Sequence, residues 1–198
     1  MSSPPSAHPP IRPSGPAVFL DRDGTIISDL GYLRDPALVV MLHGAGPAIA
    51  KLNHAGLPVI VVTNQSGISR GLLTDAEYRS VAARLDQLLL PFGARIDATY
   101  HCPHAPERDG PCGCRKPGLL LFERAAGEHR IDLASSWWVG DRLSDVLPAE
   151  AVGGTGVLVE TGEGRTHCEA AHAAGFGVVS GLEAAVERIL SGVQRNPR

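Results

Sequence analysis

The sequence predicts an α/β fold, a doubly wound parallel sheet of Rossmann-like type. Two observations carry the prediction. Six short apolar runs, at residues 17–20, 58–62, 96–100, 136–139, 156–160 and 177–180, are separated mainly by segments with helical spacing. Such alternation implies parallel strands joined by right-handed crossovers, with helices on both faces. Four of these runs also end in polar strings rich in Asp, Thr, Asn, Cys or Gly, where an open parallel sheet binds its ligands. A chain of 198 residues suits one domain with a sizeable core, placed at residues 17–192. Residues 1–16 carry six prolines among serines, with little to bury, and read as a disordered Pro-rich tail.

The first run ends in Asp21-Arg22-Asp23-Gly24-Thr25. Period-two geometry points both carboxylates the same way, and a hard cation such as Mg2+ would relieve their repulsion through oxygen ligands. Taken alone, the string is a polar turn. Residues 24–35 read as a turn-rich hairpin over the strand end. Gly46-Pro47 then opens a helix with proline at its first position, and Gly56 closes it.

The second run ends in Thr63-Asn64-Gln65-Ser66-Gly67, whose hydroxyl and amides suit a phosphate because they donate hydrogen bonds without adding a nucleophile. Thr74-Asp75-Ala76-Glu77 has the form of a capping box, and Tyr78, Val81, Leu85, Leu88 and Leu89 follow at helical spacing. This helix is structural. The third run delivers Cys102-Pro103-His104 and then Cys112-Gly113-Cys114. Three thiolates and an imidazole complete a tetrahedral zinc shell with no open position, the mark of a structural site. His101 is a rival ligand. The spacing is tighter than that of a nucleic-acid-binding finger.

Lys116 follows the last cysteine directly, and residues 118–130 read as a helix. The fourth run ends in Gly140-Asp141-Arg142-Leu143-Ser144-Asp145. Asp145 reads either as a group orienting water or lysine or as a helix-start carboxylate favoured by the dipole. Pro148 requires the next helix to begin near it. A last helix is expected over residues 182–190. His167, Cys168 and His172 are too scattered to form a site.

A formal charge of −3 gives no case for a nucleic-acid partner, and no apolar run approaches membrane-spanning length. The N-terminus lacks the apolar core of a signal peptide, so the cytoplasm is the expected compartment. A monomer is expected. In a reducing compartment the cysteine cluster reads as metal binding before disulfides.

In order, Asp21-Arg22-Asp23-Gly24-Thr25, Thr63, Lys116 and Gly140–Asp145 resemble the four motifs of the haloacid dehalogenase-like (HAD-like) phosphatases, over roughly residues 17–180. The resemblance implies an HAD-type sheet and a phosphomonoesterase with Asp21 as nucleophile and Asp23 as general acid and base. Thr63 and Lys116 would steady the phosphoryl group. Mg2+ would be held by Asp21, the main-chain carbonyl of Asp23, and Asp141. Asp29, Gly31 and Tyr32 in the flap, with Asn64, Gln65 and Ser66, would meet the substrate. The Cys–His loop running into Arg115-Lys116-Pro117 occurs in a zinc-loop subgroup of these phosphatases. That subgroup includes heptose bisphosphate and histidinol-phosphate phosphatases. The intervals between motifs leave no room for a large cap domain, so the zinc-stabilised loop would be a partial lid on an open site.

Arg115 and Arg142 at the rim favour a sugar bisphosphate as the small phosphorylated partner, because guanidinium forks match phosphate. The expected reaction is loss of the 7-phosphate of D-glycero-D-manno-heptose 1,7-bisphosphate. Histidinol phosphate, another small sugar or alcohol phosphate, and a non-enzymatic zinc-stabilised binding module are the alternatives. The short stretch between His104 and Cys112 is nearer the histidinol type. Pro117-Gly118 stands where heptose-type members often insert further residues.

Overall fold

The computed structural model describes residues 15–195. Its strands are β1 (Val18–Leu20), β2 (Val59–Asn64), β3 (Ala98–Cys102), β4 (Trp137–Gly140), β5 (Thr155–Val159) and β6 (Gly177–Val179). They form one sheet in the order β3-β2-β1-β4-β5-β6, with every pair parallel. The order reverses between β1 and β4, and the crevice beyond the carboxyl ends of those two strands is where such a sheet binds ligands.

Side-chain alternation sorts the core into two layers. Val18, Leu20, Val59 and Val61 face α1 (Ala45–His54), α2 (Asp75–Leu89) and α7 (Leu182–Arg195), whose Ile49, Leu52, Leu85 and Ile189 are fully or nearly fully buried. Phe19, Ile60, Val62 and Trp138 point the other way. There Phe122 of α4 (Leu120–His129) meets Phe19 edge-on at 5.2 Å, and Ala149 of α5 (Leu143–Val152) closes the layer. Both sheet faces are covered, as a parallel sheet requires.

Several elements differ from the expected ones. β2 and β3 each run two residues further, so Thr63, Asn64 and Cys102 sit on strands. Residues 24–35 form no hairpin; isolated bridges, Asp23 to Ile27 and Ile27 to Met41, tie the segment down. α1 begins at Ala45, which makes Pro47 its third residue. A proline is tolerated there because the first four N–H groups of a helix have no intrahelical partner. Pro148 lies inside α5 rather than near its start. The missing N–H would have served Ser144. The Asp145 carboxylate caps the helix by accepting from the Arg142 N–H at 2.9 Å, and buried Val146, Pro148 and Ala149 anchor it. The capping box at Thr74 and Glu77 is present as expected.

Two short helices, α3 (Pro106–Asp109) in the cysteine loop and α6 (Gly164–Ala173), were not foreshadowed by the sequence. Of the proline-rich stretch, residues 1–14 lie outside the described residues. The Gly15 N–H donates to the Arg130 carbonyl, and the Gly15 carbonyl accepts from Asp132. Among the described residues no helix is long and apolar enough to cross a membrane.

Candidate active site

Asp21 leaves β1 and Asp141 leaves β4, one on each side of the point where the strand order reverses. Asp145, on the first turn of α5, joins them, and carboxylate oxygens of all three lie within 4.8 Å of one another. Lys116, from the segment that follows the cysteines, reaches into this cluster. Its ammonium donates to Asp21 Oδ1 at 2.5 Å, the Val62 carbonyl at 2.7 Å and Asp145 Oδ1 at 2.8 Å.

Burial alone would lower the Lys116 ammonium, but Asp145 and Asp21 hold it well above its ordinary value. Burial also pushes the Asp21 carboxyl upward; Lys116 opposes the shift, while Asp145, Asp23 and Asp141 add to it. The short contact to Lys116 is that of an ion pair. Burial likewise raises Asp141 to about 7, against the Glu163 amide that donates to Oδ2 at 2.8 Å.

This carboxylate set fits a hard divalent cation. Asp141 is fully buried, yet its Oδ1 has no hydrogen-bond partner among the described residues. Two glycine backbones press on its other oxygen. A Cβ on Gly24 or on Gly162, both at positive φ, would come within 2.2 Å of Oδ2. Oxygen donors crowded in this way suit Mg2+.

A cavity of about 720 Å³ opens above the cluster. Asp21, Asp23, Thr63, Lys116 and Asp145 line it, as do Asp29, Gly31 and Tyr32 from the flap and Asn64, Gln65 and Ser66 from the end of β2. Arg115 and Arg142 complete the expected set at its walls. Asp141 is not in the lining; it sits beneath the two glycines.

Several of these side chains serve one another. Gln65 donates through Nε2 to Asp23 Oδ2 and to Thr63 Oγ1, both at 2.9 Å. The Thr63 hydroxyl hydrogen is therefore left to point elsewhere. Arg142 pairs with Glu163 at 2.7 Å and with Asp29 at 3.4 Å, so two carboxylates already engage it. Arg115 donates to the His104 carbonyl at 3.5 Å and makes no ion pair among the described residues.

Cys102, His104, Cys112 and Cys114 converge beside the cavity. Their sulfurs are 3.0 to 3.7 Å apart, and His104 Nδ1 lies 3.1 Å from Cys114. Four ligands about 2.3 Å from a tetrahedral zinc would be separated by about 3.8 Å, so the cluster is slightly tighter than a zinc shell. His101 is turned away: its Nε2 meets Asp75 at 3.2 Å, and its ring lies 4.2 Å from that of Tyr78. The loop is fastened to the phosphate-type loop, because the Cys102 carbonyl accepts from Gln65 N–H at 2.7 Å and the Pro103 carbonyl from Ser69 N–H.

Three lining residues escaped the sequence reading: Arg70, Ser144 and Glu163. Glu163 follows β5, so the strand-end rule already pointed near it. Arg70 joins three loops. It pairs with Glu107 of α3 at 2.6 Å, donates to the Tyr32 hydroxyl and lies over the Tyr32 ring.

A family model described as HAD-hydrolase-like matches residues 113–185. The D-glycero-β-D-manno-heptose-1,7-bisphosphate 7-phosphatase of Haemophilus ducreyi is 41% identical over 156 residues, which are 76% of this chain and 86% of that protein. The protein of the same name from Escherichia coli K12 is 41% identical over 158 residues, 76% of this chain and 82% of its own. The crystal structure of the D,D-heptose 1,7-bisphosphate phosphatase of B. bronchiseptica, complexed with magnesium and phosphate, superposes with a TM-score of 0.82. It is 34% identical and covers 89% of this chain and 99% of its own. With relatives this similar along most of their length, and with a buried Asp–Lys–Asp centre at the reversal of the sheet, the chain belongs to the HAD-like phosphatases.

Proposed function

We propose that the chain is a phosphomonoesterase that removes the 7-phosphate of a D-glycero-D-manno-heptose 1,7-bisphosphate through an aspartyl phosphate on Asp21. The observation that carries this reading is the ion pair between Asp21 and Lys116 at the floor of the cavity, with Asp141 and Asp145 beside it. A carboxylate held by a buried ammonium and open to a cavity has both the nucleophile and the charge that a phosphoryl group needs.

In the first half-reaction an Asp21 oxygen bonds to phosphorus as the bond to the leaving oxygen breaks. Asp23 gives its proton to that oxygen. In the second, Asp23 takes a proton from water, whose oxygen attacks the same phosphorus; the Asp21–phosphorus bond breaks and inorganic phosphate departs. Thr63 is positioned to donate its hydroxyl hydrogen to a phosphoryl oxygen, since Gln65 already donates to the hydroxyl oxygen. Lys116 offsets the negative charge that gathers there. Mg2+, which Asp21, the Asp23 main-chain carbonyl and Asp141 would hold, would supply further charge neutralisation. Zn2+ in the Cys102, His104, Cys112 and Cys114 cluster would have no open position, and its role is structural.

Two observations support the bisphosphate. The relatives carry that substrate in their names. Arg115 lines the cavity and makes no ion pair among the described residues, so it would be free to meet a second phosphate. Histidinol phosphate is the second reading, favoured by the short loop between His104 and Cys112 and by Asp29 and Glu163 at the rim. Both of those carboxylates are paired with Arg142, which weakens their attraction for an ammonium.

Steady-state kinetics on both esters tests the choice. A higher kcat/KM for the heptose bisphosphate is expected, with Arg115→Ala raising KM for the bisphosphate more than for a monophosphate. Equal or better turnover of histidinol phosphate would overturn the substrate. An Asp21→Asn variant that kept more than a few per cent of activity would overturn the mechanism.

A further inference from the structure

Arg22 has no part in the chemistry above, yet it is among the largest side chains the fold buries completely. Neighbouring residues on an extended chain point opposite ways, so Arg22 and Asp23 would not ordinarily meet. Here the chain turns at once. The N–H groups of Ile26 and Ile27 both donate to the Arg22 carbonyl, at 2.9 and 3.1 Å, and Gly24 takes a positive φ of 80°. The turn brings the guanidinium back along Asp23. Its Nη2 reaches Oδ2 at 2.9 Å and Oδ1 at 3.0 Å, and its Nε lies 3.2 Å from each.

The other face of the guanidinium lies over the Tyr78 ring, 5.3 Å from its centre, within the range of a cation–π contact. Tyr78 is buried on α2 and packs in turn against His101. Nη1 is buried without a hydrogen-bond partner among the described residues. The ring and the Asp23 fork are therefore what hold this cation. A buried arginine is costly unless well paired, and an apolar residue would serve packing as well or better.

We propose that Arg22, clamped on Tyr78, is a positioning residue that fixes the Asp23 carboxylate for proton transfer. The inference rests on Asp23 as the acid–base group of the reading above. Gln65 holds one oxygen of Asp23 from the cavity side, and Arg22 holds both from the core side. With rotation about the side chain removed, the carboxyl keeps one orientation from which to give its proton to the leaving oxygen and later to take one from water. Such alignment is a large share of what a positioned acid contributes.

The test separates positioning from packing by the leaving group. A simple alkyl phosphate such as glycerol phosphate releases an alkoxide that must be protonated. By contrast, p-nitrophenolate leaves as a stable anion. For Arg22→Met, kcat/KM on the alkyl ester is expected to fall by roughly 10²-fold, the lower part of the usual acid–base share, with that on p-nitrophenyl phosphate little changed. Arg22→Lys should recover part of the loss, because one ammonium cannot form the fork. The double variant Arg22→Met with Asp23→Asn should be no slower on the alkyl ester than Asp23→Asn alone, since residues acting as a unit are not additive.

Equal losses on the two esters, or losses that multiply in the double variant, would overturn the proposal. Should Arg22→Met not fold, Tyr78→Leu carries the same expectation at smaller size and decides by the same comparison. If Asp23→Asn itself lost equally on both esters, Asp23 would not be the acid. That result would remove the reading beneath the proposal, and the proposal with it.

Discussion

Asn64 grips the main chain of Lys116 from both sides: its Oδ1 accepts from the Lys116 N–H at 3.0 Å, and its Nδ2 donates to the Lys116 carbonyl at 3.4 Å. These residues are 52 apart in sequence. The grip joins the end of β2 to the segment that follows the cysteine cluster, so the lysine reaches Asp21 from a braced backbone. Asn64→Ala should lower kcat by about 10 to 10² with a smaller change in KM, the size expected when a catalytic group is misplaced by about 1 Å. Steady-state kinetics on one ester is the measurement.

Asp145 both caps α5 and pairs with Lys116. Asp145→Ala should destabilise the fold by about 3 kcal/mol or more, because removing one partner strands part of a buried ion pair. A urea titration would read this as a lower midpoint. Asp145→Asn keeps a cap acceptor and should lose less stability, although its activity falls as Lys116 loses an anchor.

The glycine at 162 has almost no latitude. An added Cβ would meet Asp141 Oδ2 at 2.2 Å and the Gly24 Cα at 2.6 Å. Gly162→Ala is expected to displace the Asp141 carboxylate and raise the Mg2+ concentration needed for half-maximal rate several-fold, with partial recovery at saturating Mg2+. A metal titration of activity checks it. An unchanged metal requirement would mean that the Asp141 oxygen does not need its present place.

For the cysteine cluster, elemental analysis of protein purified without chelator should find about one zinc per chain. Cys102→Ser should be more damaging than Cys112→Ser, because Cys102 is fully buried at the end of β3 whereas Cys112 is half-buried. Both variants should lose activity although neither residue touches the ester. Thermal melts and kinetics on the two variants would show the order.

The sequence revealed most where chemistry sits in short strings at strand ends. Asp21, Asp23, Thr63, Lys116 and Asp141 are each next to or near a β-strand end or the cysteine pair, so local pattern locates them. The cluster of Cys102, His104, Cys112 and Cys114 was equally legible, and the strand explains why the rival His101 stands apart from it. With β3 running to Cys102, His101 turns to the opposite side from Cys102 and meets Asp75 and Tyr78. Pairings between distant loops left no local trace. Arg70 with Tyr32 and Glu107, Arg142 with Glu163, and Asn64 with Lys116 depend on which loops the fold brings together. The flap was misread because Gly31, Tyr32 and Pro36 suit a tight hairpin and a loop pinned by isolated bridges equally well.

The ion pairs beneath the cavity also act on how the sheet assembles. β1 pairs with β4 so that Leu20 stands opposite Val139, which sets Asp21 and Asp141 on either side of one crevice. Shifting β1 by a single residue would exchange its two faces, moving Phe19 into the layer of Val18 and turning Asp21 away from Lys116. The Lys116 side chain, 2% exposed, would then be left buried with part of its oxygen cage gone. Hydrophobic layers alone tolerate such a slip more readily, because one aliphatic residue resembles another. The charges proposed to perform the reaction would thus proofread strand pairing, and a chain that assembled them wrongly would lose stability as well as activity.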